Sequence, residues 1–184
     1  MRSGAKHLVL AAALVAAMGG AANAAEKTTP DGSTPLMQAA YEGDLAQAKR
    51  LIARHANVNA VNAYGVNAML LAAESSNTQL IDTLLKAGAK ATSANLDGET
   101  ALHLVARTGN VDAAKLLIAH GAKVDAREKF GEQTPLMWAT ARRHPAMVEF
   151  LISKGADVNA RSMVRDYQRV ATAESRAKFL DRAG

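Results

Sequence analysis

The sequence predicts an all-α repeat solenoid, built of stacked helix-turn-helix units with projecting β-hairpin fingers. Two registers predict it. Thr34-Pro35-Leu36-Met37-Gln38-Ala39 returns as Asn67-Ala68-Met69-Leu70-Leu71-Ala72, Thr100-Ala101-Leu102-His103-Leu104-Val105 and Thr134-Pro135-Leu136-Met137-Trp138-Ala139, at spacings of 33, 33 and 34 residues. Gly32, Gly65, Gly98 and Gly131 are each 33 apart. A fixed period of this length marks supersecondary units that bury their apolar faces against one another rather than around one globular core. The chain has no cysteine, so packing alone must hold the stack, without disulfides or thiolate chemistry.

The first element is a leader. Arg2 and Lys6 precede an apolar run of 11 residues, Leu8 to Met18, which is too short to span a bilayer as a helix. Ala22-Asn23-Ala24 then offers small residues to a signal peptidase, so residues 1–24 read as a secretory signal peptide cleaved after Ala24. No cysteine stands there for lipoprotein processing. The mature chain is expected to be soluble and exported, to a bacterial periplasm or the medium.

Residues 98–127 show how one unit is built. Thr100 is an N-cap, its hydroxyl meeting an orphan amide of the first turn. Ala101 to Thr108 follows as a short helix with Leu102, Val105 and Ala106 on one face. Gly109-Asn110 ends it, glycine accepting the left-handed backbone there. Val111 to His120 is the second helix, turning Ala114, Leu117 and Ile118 inward, and Gly121 stops it. Ala122 to Ala126 is expected to be extended, as half of a hairpin. Pro35 and Pro135 stand at first helical positions, where a missing N–H costs nothing.

These residues resemble the ankyrin family: Gly-x-Thr-Pro-Leu-x-x-Ala, a Gly-Asn or Gly-Asp turn, Leu-Ile or Leu-Leu late in the second helix, and Gly155-Ala156-Asp157-Val158-Asn159-Ala160. The resemblance covers about residues 29–160, within an ankyrin-repeat domain placed at 25–160. Its repeats fall at about 29–61, 62–94, 95–127 and 128–161. Departures are modest: Asn67 for threonine, Ser76-Asn77 and Arg143-His144 for the glycine turn, and His55 for a helix-ending glycine. One extra residue falls within Ala126 to Gln133.

Equivalent positions separate the ends of the stack. Gln38, Leu71, Leu104 and Trp138 share one position; Gln47, Leu80, Ala113 and Met147 share another. Both are polar only in the first repeat, as is Arg50 against Thr83, Leu116 and Phe150, so residues 29–61 read as the N-terminal cap. Trp138 is expected to pack against the third repeat. Ile152 matches Ile52, Leu85 and Ile118, so the fourth repeat presents an interior-type face. Residues 162–184, the basic tail, have two readings. One is a C-terminal cap helix with Thr172 as N-cap and Val170, Ala173, Ala177, Phe179 and Leu180 as its apolar positions. The other is an enlarged hairpin insertion followed by further repeats, which the place of Ala183-Gly184 favours.

The charge pattern excludes some functions. Of the net +5, two charges lie in the leader and three in residues 161–184, leaving residues 25–160 neutral. A nucleic-acid surface would need a basic stripe on the repeats, and none is present. Beyond the leader no apolar stretch could span a membrane. His55, His103, His120 and His144 lack the i, i+4 spacing of a zinc helix. No nucleophile elbow, phosphate loop or paired carboxylates appear, so neither enzyme, metal nor cofactor is expected. The family resemblance implies that His103 steadies the adjacent loop through a hydrogen bond.

It also implies that protein partners meet the finger tips and the exposed side of the first helices. Those positions are Asp31, Ser33, Tyr41, Glu42, Tyr64, Val66, Glu74, Ser75, Leu96, Asp97, Glu99, Arg107, Thr108, Phe130, Glu132 and Arg142. Tyr41, Tyr64, Leu96 and Phe130 stand out, because tips are ordinarily polar and aromatics anchor interfaces. The expected function is a non-enzymatic protein-protein interaction module. The competing readings are a dedicated inhibitor or immunity-type partner of one exported enzyme, and a structural subunit self-associating through its uncovered fourth repeat.

Overall fold

The computed structural model describes residues 28–163. The expected leader and the tail's apolar positions lie outside the described residues. Eight α-helices follow one another: α1 (Pro35–Glu42), α2 (Leu45–Ala53), α3 (Ala68–Glu74), α4 (Thr78–Lys86), α5 (Ala101–Thr108), α6 (Val111–Ala119), α7 (Pro135–Ala141) and α8 (Pro145–Ser153). They pair as α1-α2, α3-α4, α5-α6 and α7-α8, and each pair stacks on the next. The first helices of successive pairs pack more closely than the second helices, so the stack curves toward α1, α3, α5 and α7. Small residues permit the close approach: Ala39, Ala40, Ala72, Ala73, Ala106 and Ala139 are all buried there.

Local chemistry accounts for the helix limits. Thr34 and Thr134 accept hydrogen bonds from Met37 and Met137 N–H, and Asn67 does the same for Leu70. Asp44, Asn77 and Asn110 cap the second helices in the same way. Pro35, Pro135 and Pro145 begin their helices. After the first helices, Gly43, Ser76, Gly109 and Arg143 all take positive φ, and after the second helices so do His55, Gly88, Gly121 and Gly155. The family geometry is thus kept where glycine is lost, at a conformational cost to His55, Ser76 and Arg143.

The fingers differ from the expected hairpins. Among the described residues the one β-bridge pairs Ala94 with Thr100. The segment Ala122 to Ala126 is not extended either: Ala126 N–H bonds the Lys123 carbonyl at 3.3 Å, closing a turn that recurs at Asn57–Ala60, Lys90–Ser93 and Asp157–Ala160. Each finger is instead organised by one side chain. Asn62 Oδ1 accepts from Tyr64 and Val66 N–H, each at 3.0 Å. Asn95 Oδ1 accepts from Asp97 and Glu99 N–H at 3.0 and 2.9 Å.

A main-chain ladder links finger to finger. Ala63 N–H bonds Asp31 C=O at 2.8 Å, Leu96 bonds Tyr64 at 3.1 Å, and Lys129 bonds Asp97 at 2.7 Å. Met163 bonds Gly131 at 2.6 Å, so residues 161–163 take up the place of a next finger.

Burial supports the asymmetry of the ends. Gln38 and Arg50 are exposed, whereas Leu80, Leu104, Ala113 and Met147 are buried. Leu85 is 5 % exposed against α6, but its equivalent Ile152 is 45 % exposed. Ile118, expected to turn inward, is half-buried against the core.

Candidate functional site

The wall of finger tips and first-helix ends carries the expected binding residues. Tyr41, Tyr64, Leu96 and Phe130 project from it as exposed side chains, together with Glu42, Glu74, Asp97, Glu132 and Arg142. Val66, Glu99 and Arg107 are half-buried. The structure brings Glu74 and Arg107 together as an ion pair between α3 and α5. Glu42 instead accepts from Gln38 within α1 at 2.6 Å. Glu132 lies 3.7 Å from Arg127 within its own finger. At the first finger, the hydroxyls of Thr29 and Ser33 stabilise the ionised Asp31 carboxylate and lower its pKa to about 2.

The third and fourth repeats meet around Trp138. Its ring meets His103 edge-on, centroids 5.3 Å apart at 68°, as expected of a tryptophan packed on the third repeat. Beneath it runs a chain of hydrogen bonds. Thr100 N–H donates to His103 Nδ1 at 3.2 Å, which leaves the ring proton on Nε2 to donate to the Gln133 carbonyl at 3.0 Å. His103 is fully buried. Burial lowers its pKa, outweighing the Gln133 carbonyl and the nearby Glu128 and Glu99 charges that favour protonation. His103 therefore holds the fourth finger to α5, in the loop-steadying role that the resemblance implies.

Glu128 completes that chain, and sequence reasoning missed it. It is buried at the finger-organising position of Asn62 and Asn95. Oε1 accepts from Gly131 N–H at 2.8 Å and Gln133 N–H at 3.0 Å, and Oε2 from Phe130 N–H at 2.5 Å. Burial by itself would raise the Glu128 pKa, but the bonds from Gln133, Gly131 and Phe130, together with His103, lower it overall. The fourth finger is one residue longer than the others. A side chain one methylene longer than asparagine reaches across it, and positive φ falls on Glu132 rather than Gly131. The signal was present: the extra residue and the Asn-to-Glu change occur in the same finger.

Two grooves flank Trp138. One, about 270 Å³, is lined by Asp97, Glu99, Glu128, Phe130, Gln133 and Trp138. The other, about 320 Å³, is lined by Arg107, Gln133, Trp138, Ala141 and Arg142. His103 lines neither, and both its ring nitrogens are engaged. Among the described residues no group of three or more His, Asp or Glu could hold a metal ion. No described helix is long and apolar enough to cross a membrane. A larger apolar groove, about 670 Å³, lies on the outer face of α7 and α8, lined by Thr140, Arg143, His144, Pro145, Val148, Glu149 and Ile152.

A family model described as ankyrin repeats (3 copies) matches residues 4–95 and 84–162. No curated protein matches the chain.

Proposed function

The chain belongs to the ankyrin-repeat family, and from that premise we propose that it presents its concave surface to an exported partner protein. Ankyrin repeats are generally protein-protein interaction modules and generally not enzymes. The observation that carries the reading is the exposure of four large side chains at the finger tips and the end of α1: Tyr41 71 %, Tyr64 62 %, Leu96 61 % and Phe130 64 %. Large apolar groups left in water on a preordered scaffold supply anchor area with little ordering entropy lost on binding. No catalytic role is assigned to any residue, because His103 and Glu128, the buried titratable pair, are both consumed in holding the fourth finger. The place of action is the periplasm, on the strength of the leader, with the medium as the alternative.

The test is affinity capture from an envelope extract with the wild-type chain, a Tyr64→Ala/Leu96→Ala/Phe130→Ala variant and an Ile152→Ser variant. The triple variant is expected to lose the partner by at least about tenfold and Ile152→Ser to keep it. Equal recovery by wild-type and triple variant would remove the concave reading. A single tight partner would select the inhibitor or immunity-type form of the function over a general scaffold.

A second reading has its own observation, the apolar groove beside the half-exposed Ile152. It makes the chain a structural subunit docking through the fourth repeat. A sedimentation coefficient that does not change with protein concentration counts against it.

A further inference from the structure

We propose that the paired grooves around Trp138 receive an extended segment of the protein partner that places a basic side chain against Asp97 and Glu99. The inference rests on the concave-surface reading and names where the contact is made and with what chemistry.

The two grooves share Trp138 and Gln133 as a common wall, and each is lined from both the third and the fourth repeat, so together they make a trough interrupted by the indole. Its two ends carry opposite charge. At the finger end, the Asp97 carboxylate makes no hydrogen bond or ion pair among the described residues, and only its main chain is used, by Lys129 N–H and by Asn95 Oδ1. Glu99 spends one carboxylate oxygen on Asn95 Nδ2 at 2.8 Å and leaves the other open. Glu128, the third acid there, is saturated by main-chain amides and serves the floor rather than the partner. Lys129, on the neighbouring finger, forms no ion pair with Asp97 or Glu99. At the helix end, Arg107 is held by Glu74, while Arg142 is exposed and forms no ion pair among the described residues.

An acid pair at one end, an arginine at the other and an indole between them select both the composition and the direction of a bound chain. A lysine or arginine reaching Asp97 and Glu99 gains their charge and passes the Trp138 ring, which favours cations over its face. An acidic side chain farther along the segment meets Arg142. The trough is also rigid, because Thr100, His103, Gln133 and Glu128 are bonded in sequence beneath it. A site that does not reorganise loses less on binding.

Trp138 is the only tryptophan of the chain, so its fluorescence reports occupancy of the trough directly. A displayed library of random peptides selected on the purified full chain supplies the probes. The expected binders are enriched in lysine or arginine, change the Trp138 emission, and lose about tenfold in affinity on Asp97→Asn/Glu99→Gln, with a smaller loss on Arg142→Gln. Both carboxylate changes are isosteric, Asp97 being exposed and Glu99 half-buried, and an unchanged circular dichroism spectrum confirms the fold. Binders without basic enrichment, or indifferent to Asp97→Asn/Glu99→Gln but lost on Tyr41→Ala/Tyr64→Ala, overturn the trough while leaving the concave surface standing. Binders that yield only to Ile152→Ser overturn the trough and favour docking through the fourth repeat. A selection that returns no binder overturns the trough alone, since the capture experiment decides the concave surface independently.

Discussion

The first helix pair exposes Gln38 and Arg50 at one end of the described stack, while the fourth exposes Ile152, beside the half-buried Val148, at the other. Both pairs share one backbone plan, with a threonine-capped first helix and left-handed residues after each helix, so the difference in polarity lies in side chains. At the first end the repeat positions that meet a preceding neighbour elsewhere are polar, and water satisfies them. At the other, the positions that meet a following neighbour keep their interior character. Backbone regularity in a solenoid is therefore set within each unit, whereas polarity is set by what lies next to it.

The largest test of that contrast compares Leu85→Ala with Ile152→Ala, the same position inside and at the end of the stack. Leu85→Ala is expected to cost about 2–4 kcal/mol in urea unfolding and Ile152→Ala less than about 1 kcal/mol. Equal costs would mean that the outer face of α8 is covered in solution. Next comes Gly109→Ala against Gly155→Ala. Both glycines have positive φ, but a Cβ at Gly109 would stand 2.7 Å from the His144 ring, while at Gly155 it meets nothing. The interior change is expected to cost about 2 kcal/mol or more and the terminal one about 1 kcal/mol.

A smaller effect separates the His103 interface from the remaining repeats, which carry Met37, Leu70 and Met137 at its position. Because the folded pKa of His103 is lowered, its contribution is whole above the unfolded value of about 6.5 and declines as pH falls below it. Glu128, also lowered, adds a second loss at more acid pH, as the pH falls through its folded value. Stability measured against pH should lose the first step in His103→Gln and keep the second. The smallest expected effect is a gain. His55→Gly and Arg143→Gly relieve positive φ at the first and fourth repeats, and each should raise stability by about 0.5–1 kcal/mol.

Much of this was legible in the sequence. The limits of α5 follow from Thr100 and Gly109, and the capping face follows from reading Gln38 against Leu71, Leu104 and Trp138. The exposure of Tyr41, Tyr64, Leu96 and Phe130 follows from their place at tips and helix ends. The fingers were less legible. A turn and a hairpin share the same glycines, and only the hydrogen bonds Asn62 and Asn95 make to their own backbones decide between them. The trough at Trp138 was not legible at all, since Asp97 and Arg142 are far apart in sequence and come to stand on either side of Trp138 only when two repeats stack.

The sequence by itself determined the repeat period, the helices, and which end of the stack is polar, because each is read from residues within one unit or from equivalent positions 33 or 34 residues apart. Only the tertiary structure decided how the fourth finger absorbs its extra residue, why His103 is neutral, and which carboxylates remain open to a partner. The state of His103 depends on a group thirty residues away, the Gln133 carbonyl. Hydrogen bonding and desolvation act over a few ångströms, and which groups come that close is set by how one repeat lies on the next.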